Sequence, residues 1–284
     1  MNGKRCGLSS SRLNRLPPSI KLLVDKFREG LSTSLGSNLV GAYLHGSIAF
    51  PDYDPQAGDI DFYVVVRRSL NRSETKRLDQ VHRTLAAKFA FGNKLDGFYI
   101  PYAAARRQEK PRNLVYVVHG RIHHGGLDDA WALHREHFSR LAYIRLYGLS
   151  ASRIFSQAKW PEIRSSLYRQ LFYARKIIDD EPWWSVLSLC RLVYNFERGR
   201  IAISKLEAAR WALKRLPLRW RPVITSSIKA YMGTVNTRDR AVLKREAKRF
   251  LGFASVQVIA FDIASNSRRQ NTTDLRRSSM ETRS

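Results

Sequence analysis

The sequence predicts an α+β chain whose second half is entirely helical. Strand-sized apolar runs alternate with helix-period segments over residues 18–155, and from about residue 155 only helix periodicity remains. A pair of aspartates at the head of one predicted strand marks where the chemistry should lie.

Taken in order, residues 1–17 form a basic lead-in that ends at Pro17-Pro18 and lacks the apolar segment of a secretory signal. Ile20, Leu23, Val24, Phe27 and Leu31 then recur at helical spacing behind Ser19, a suitable N-cap. Residues 39–44 and 59–66 read as the first two strands. A helix over 72–91 follows, with Leu78, Val81, Leu85 and Phe89 on one side, and then strands over 95–100 and 114–118. GRIHHGG reads as a tight connection, and 131–146 as a helix with Gly148 just past its end. Residues 156–263 carry the helical half, and the polar stretch 264–284 is expected to be a disordered tail.

Composition bounds the function. The 284-residue chain is 44% hydrophobic, enough for a real core. Its two cysteines provide neither a disulfide framework nor a CxxC zinc pattern, which fits a cytoplasmic setting. The apolar runs are too short to span a membrane. Fifty Lys and Arg against 24 Asp and Glu give a formal charge of +26, which favours anionic partners and allows an RNA contact through a basic surface. A monomer is expected.

Asp59 and Asp61 sit two apart on a predicted strand, so both point to one face while Ile60 and Phe62 point to the other. Adjacent carboxylates repel, and magnesium, a hard cation that takes one or two carboxylates plus phosphate oxygens, answers that repulsion. Upstream, Gly46-Ser47 follows a strand and offers backbone N–H groups and a hydroxyl to phosphate. Asp52 and Asp54 lie beside prolines and read as turn residues. His119, His123, His124, His134 and His137 cluster in sequence, but no set completes a tetrahedral zinc site.

The spacing GS-x11-DID followed by an apolar strand resembles the nucleotidyltransferase superfamily of the polymerase-β type. YLHGS, DYDP and DIDFYVVV are most similar to the aminoglycoside adenylyltransferases that act on streptomycin and spectinomycin. The resemblance implies a mixed sheet with flanking helices in the first domain. It also implies Mg-dependent transfer of AMP from ATP to a hydroxyl of a small cationic acceptor, with two metal ions on Asp59 and Asp61 and release of pyrophosphate. Asp96 stands where the family carries a glutamate that serves as general base. Gly58 stands where the family has a serine before the first aspartate.

The second half continues the likeness through FERGRIAISKLEAARWALKRLP. By position, Arg191, Lys205 and Tyr231 resemble residues that reach the nucleotide, joining Gly46 and Ser47. Glu181 resembles the acid that reads the cationic acceptor. Pro182 suits the first helical position, so Glu181 also stands at an N-cap. Ser204 and Glu207 have capping-box spacing, which puts Lys205 in the first turn, where the helix dipole disfavours a cation unless phosphate is near. Trp183 belongs to the apolar face of its helix, leaving Trp184 as the aromatic expected to stack on the acceptor. Two other readings fit the basic charge: a transferase acting on tRNA or protein, and a non-catalytic nucleic-acid-binding relative.

Overall fold

The computed structural model describes residues 12–127 and 129–281, with side chains to Ser265. Most of the lead-in, residues 1–11, and the side chains of the tail from residue 266 lie outside the described residues. The chain divides into two compact units, Met1–Leu167 and Tyr168–Ser284.

The first unit is built on a six-stranded sheet of order β5-β4-β3-β2-β1-β6. Its strands are β1 (Leu39–His45), β2 (Ile60–Val66), β3 (Leu95–Pro101), β4 (Leu114–Val118), β5 (Arg121–Gly125) and β6 (Ile144–Gly148). β2 and β3 run parallel and the other pairs antiparallel, so the sheet is mixed. Helices α1 (Pro18–Leu35) and α2 (Arg72–Lys88) cover one face. There Ile20, Leu23, Phe27, Leu78 and Leu85 pack with Ile60, Phe62, Val64 and Val66. α3 (Trp131–Ser139) supplies Trp131 and Phe138 to the other face, against Tyr43, Tyr63 and Val65. Strands covered on both sides must be apolar at nearly every position, which is why β2 reads as a continuous run. The period-two expectation holds from Asp61 onward, because Tyr63 and Val65 share one core and Ile60, Phe62 and Val64 the other.

Three expectations are corrected here. GRIHHGG is not a connection, because residues 121–125 form edge strand β5. His119 (φ 49°) and Gly120 (φ 72°) make a two-residue turn with both residues left-handed, the type I′ geometry that joins twisted strands. Gly125 lets the Tyr116 ring lie close across the pair, where a Cβ would come within 3.1 Å of it. The helix predicted over 131–146 stops at Ser139, and residues 144–148 form β6. Leu141 takes φ 58°, its N–H reaching Phe138 O (3.2 Å) and that of Ala142 reaching His137 O (2.8 Å), which is a Schellman stop with leucine in place of glycine. Arg12 donates to the carbonyls of Leu141 and Tyr143 and so braces the segment. Finally, α1 starts two residues earlier than expected. Its N-cap is Pro17, with Pro18 in the first turn and no side-chain cap.

α4 (Trp160–Ile177) leads into the second unit, which comprises α5 (Pro182–Arg198), α6 (Lys205–Arg215), α7 (Arg221–Tyr231) and α8 (Thr237–Glu281). α5 is the central helix, packed by α6, α7 and α8, and it is buried at Val186, Leu187, Leu189, Cys190, Leu192 and Val193. Tyr168 ties α4 to α8 by donating to Asp262 (2.7 Å). Helical backbone continues to Glu281 through the stretch expected as a disordered tail, which contains no Gly or Pro to break it.

Candidate active site

β1 ends at His45, and the chain turns at Gly46 into a short 3-10 turn, Gly46–Ala49. Gly46 has φ 70°, and a Cβ there would lie 2.0 Å from Asp61 Oδ2, so both conformation and space require glycine. The phosphate-binding turn expected from the sequence therefore abuts the acid expected to hold metal. Asp61 pairs in register with His45 on one side and Asp96 on the other. Neighbours in register share a face, so Asp61 and Asp96 stand side by side. Asp59 is exposed just before β2, and Ser47 Oγ donates to its carbonyl (3.4 Å). Gly46, Ser47, Asp59, Asp61 and Asp96 are thus gathered at one end of the central strands.

Asp96 is held in a perturbed electrostatic setting. Burial holds its carboxyl above the ordinary range and the charge of Asp59 adds to that, while an N–H from His119 (3.0 Å) opposes it. A carboxylate that is destabilised when charged, yet fixed in orientation by a backbone donor, is a stronger proton acceptor than an exposed aspartate.

Some supporting residues were not legible in the sequence. His119 acts on Asp96 chiefly through its amide, because the β4–β5 turn aims that N–H at the carboxylate, and the charge of its imidazole adds a smaller effect of the same sign. His45, 4% exposed beside Asp61, is kept well below the usual histidine range by burial, with the charges of His134 and His137 adding. It is a neutral neighbour of Asp61, not a counter-ion. Lys94 donates to the carbonyls of Pro55 (2.9 Å) and Gln56 (2.7 Å) and pins the loop that returns to Asp59. Nothing in a lone lysine before a strand signals that role. Asp54 caps the same loop by accepting from Gln56 N (2.9 Å), as expected for a turn residue.

In the helical unit, Glu181 occupies the N-cap position of α5 without a side-chain capping bond, so its exposed carboxylate is not spent on the helix. Trp184 follows it. Lys205 Nζ lies 3.8 Å from the Trp184 ring centroid, and Tyr173 meets that ring edge-on at 5.5 Å. Ser204 caps α6 by accepting from Glu207 N (2.9 Å), which places Lys205 in the first turn. Trp183 contacts Tyr231 at 6.3 Å. Desolvation pushes the half-buried Arg191 guanidinium down to about 10.

The first unit is thus a mixed sheet carrying a Gly-Ser turn with acids beside it, and the second unit is helical. Residues 153–256 match the family model described as "Aminoglycoside adenylyltransferase, C-terminal domain". Spectinomycin 9-adenylyltransferase of Enterococcus faecalis is 25% identical over 74% of this chain and 86% of its own length. Aminoglycoside (3'') (9) adenylyltransferase of Rhizobium radiobacter is 33% identical over 32% of this chain, a match spanning only 34% of that relative. The crystal structure of the Enterococcus spectinomycin adenyltransferase AAD(9) with ATP and spectinomycin shares the fold. Its TM-score is 0.67 at 20% identity, over 82% of this chain and 98% of that one. The likeness to aminoglycoside adenylyltransferases is thus one of sequence in the second half, one at 25% identity over most of the chain, and one of fold to AAD(9).

Proposed function

We propose that this chain transfers AMP from ATP to a hydroxyl of an aminoglycoside-type acceptor. The observation that carries the reading is the convergence of Asp59, Asp61 and Asp96 beside the Gly46-Ser47 turn. The acceptor oxygen attacks the α-phosphorus, the bond from that phosphorus to the bridging oxygen breaks, pyrophosphate leaves, and the acceptor proton passes to Asp96. Ser47 and the amides of its turn hold phosphate oxygens. Arg191, Lys205 and Tyr231 are assigned to the nucleotide, and Glu181 and Trp184 to the acceptor.

The donor chemistry fits magnesium. Asp59 and Asp61 offer hard oxygen ligands, and a cation would relieve the repulsion that Asp59 exerts on Asp96. Among the described residues no group of three or more His, Cys, Asp or Glu is arranged as a complete ligand set. Magnesium commonly completes its shell with phosphate oxygens and water, so two carboxylates suffice. When bound, it would neutralise charge developing on the phosphates.

The test is transfer of label from ATP labelled at the α-phosphate to streptomycin, spectinomycin or bulk tRNA. The wild type should label an aminoglycoside, and Asp61→Asn should lose at least about a hundredfold in rate. Label appearing only on tRNA would overturn the choice of acceptor, and undiminished transfer by Asp61→Asn would overturn the site.

A further inference from the structure

The helical unit contains a cavity of ≈ 740 Å³ that plays no part in the proposed chemistry. It lies where α7 meets the first turns of α8 and is lined by Arg221, Ser226, Lys229, Arg238, Asp239 and Arg245, among others. Its one acid is already engaged. Asp239 accepts from Ser226 (3.0 Å) and pairs with Lys229 (3.2 Å). Asn236 and Asp239 close a reciprocal cap at the start of α8, with Asp239 N donating to Asn236 (2.9 Å) and Asn236 N to Asp239 (3.3 Å). Arg221 is fixed by donating to the Leu213 carbonyl (3.2 Å), and among the described residues neither it nor Arg238 forms a salt bridge. Arg245 shares Glu246 with Arg249. The lining therefore offers guanidinium groups in excess of carboxylates, beside hydroxyls, around a space of ligand size.

We propose that this cavity binds phosphates of an RNA backbone. Guanidinium forks match phosphate oxygens, and Arg221, held by the Leu213 carbonyl, loses little order on binding one. The basic surface does not stop at the rim. Residues 210–249 hold twelve Lys and Arg against two acids, and Arg219, Arg240, Lys244, Lys248 and Arg249 are exposed. A small anion would need only the cavity, whereas a polymer also uses the cations that continue beyond it. The proposal is independent of the transferase reading.

The test uses the full chain and fluorescein-labelled oligouridylate, with anisotropy followed against salt. Arg221→Gln, Arg238→Gln and Arg245→Gln combined should weaken binding by roughly tenfold or more and reduce the slope of log K against log salt by about 2. A control carrying Arg72→Gln, Lys76→Gln and Lys88→Gln on α2 removes equal charge and should change binding far less. The cavity variant should retain wild-type AMP transfer. Equal losses in the two variants, or none, would overturn the proposal in favour of diffuse charge. Weakened binding of tripolyphosphate with unchanged RNA affinity would make the cavity a small-anion site and would equally overturn it.

Discussion

At Asp96 the properties that would suit the proposed base oppose stability. A carboxyl whose folded pKa is raised above its unfolded value contributes stability at pH below the unfolded value and loses it as pH rises through the folded one. At neutral pH the charged, partly buried Asp96 is therefore a burden on the unliganded fold. Asp96→Asn should lower kcat by about 10²–10⁴-fold while leaving the melting temperature unchanged or raising it. A parallel loss of melting temperature would make Asp96 structural. Gly58 raises the opposite issue. A Cβ there would lie 2.8 Å from Ser47 Oγ and 2.9 Å from the Tyr53 ring, so Tyr53 and Ser47 occupy the room that a serine would need. Gly58→Ser, which restores the serine of the resembled family, should cost about 1–3 kcal/mol by overpacking and raise KM for ATP by displacing Ser47. Thermal melting and ATP kinetics check both.

Among the elements, the hairpin of β4 and β5 links fold to chemistry, because its turn supplies the N–H that holds Asp96. Gly120 has φ 72°, and a Cβ there would come within 2.6 Å of the Ala86 Cβ on α2. Gly120→Ala should cost about 1–3 kcal/mol. By disturbing the His119 N–H that lowers the Asp96 pKa, it should also shift the acid limb of the kcat/KM profile to higher pH. A melting shift with an unmoved pH profile would separate the turn from the base. The same elements show what the sequence could and could not reveal. β1 to β4 were legible because their apolar runs are bounded by Gly, Pro or polar turns, and the acid pair announced itself by spacing. β5 was not, since an edge strand whose single apolar residue, Ile122, stands among Arg, His and Gly shows no apolar alternation. β6 was hidden because Leu141, not Gly, takes the left-handed stop, and helix-compatible residues run on past it. Tertiary support from Arg12, more than a hundred residues away, holds that stop and cannot be seen locally.

On the scale of the whole molecule, a +26 chain is an unexpected host for a cationic acceptor. Screening resolves the conflict, since at physiological ionic strength charges act over about 8 Å, so the carboxylates around a site outweigh remote arginines. In the proposed reaction Asp59, Asp61, Asp96 and Glu181 would set the local sign for the acceptor, while the basic remainder would favour the triphosphate. The central claim is that Asp59 and Asp61 join a divalent cation to that triphosphate. Calorimetric titration with a nonhydrolysable ATP analogue, with and without magnesium, tests it directly in the wild type and in a protein carrying Asp59→Asn with Asp61→Asn. The account predicts that magnesium tightens binding to the wild type by at least about tenfold and has little effect on the double variant, a difference of about 1.4 kcal/mol or more. Equal tightening of both proteins by magnesium would contradict it.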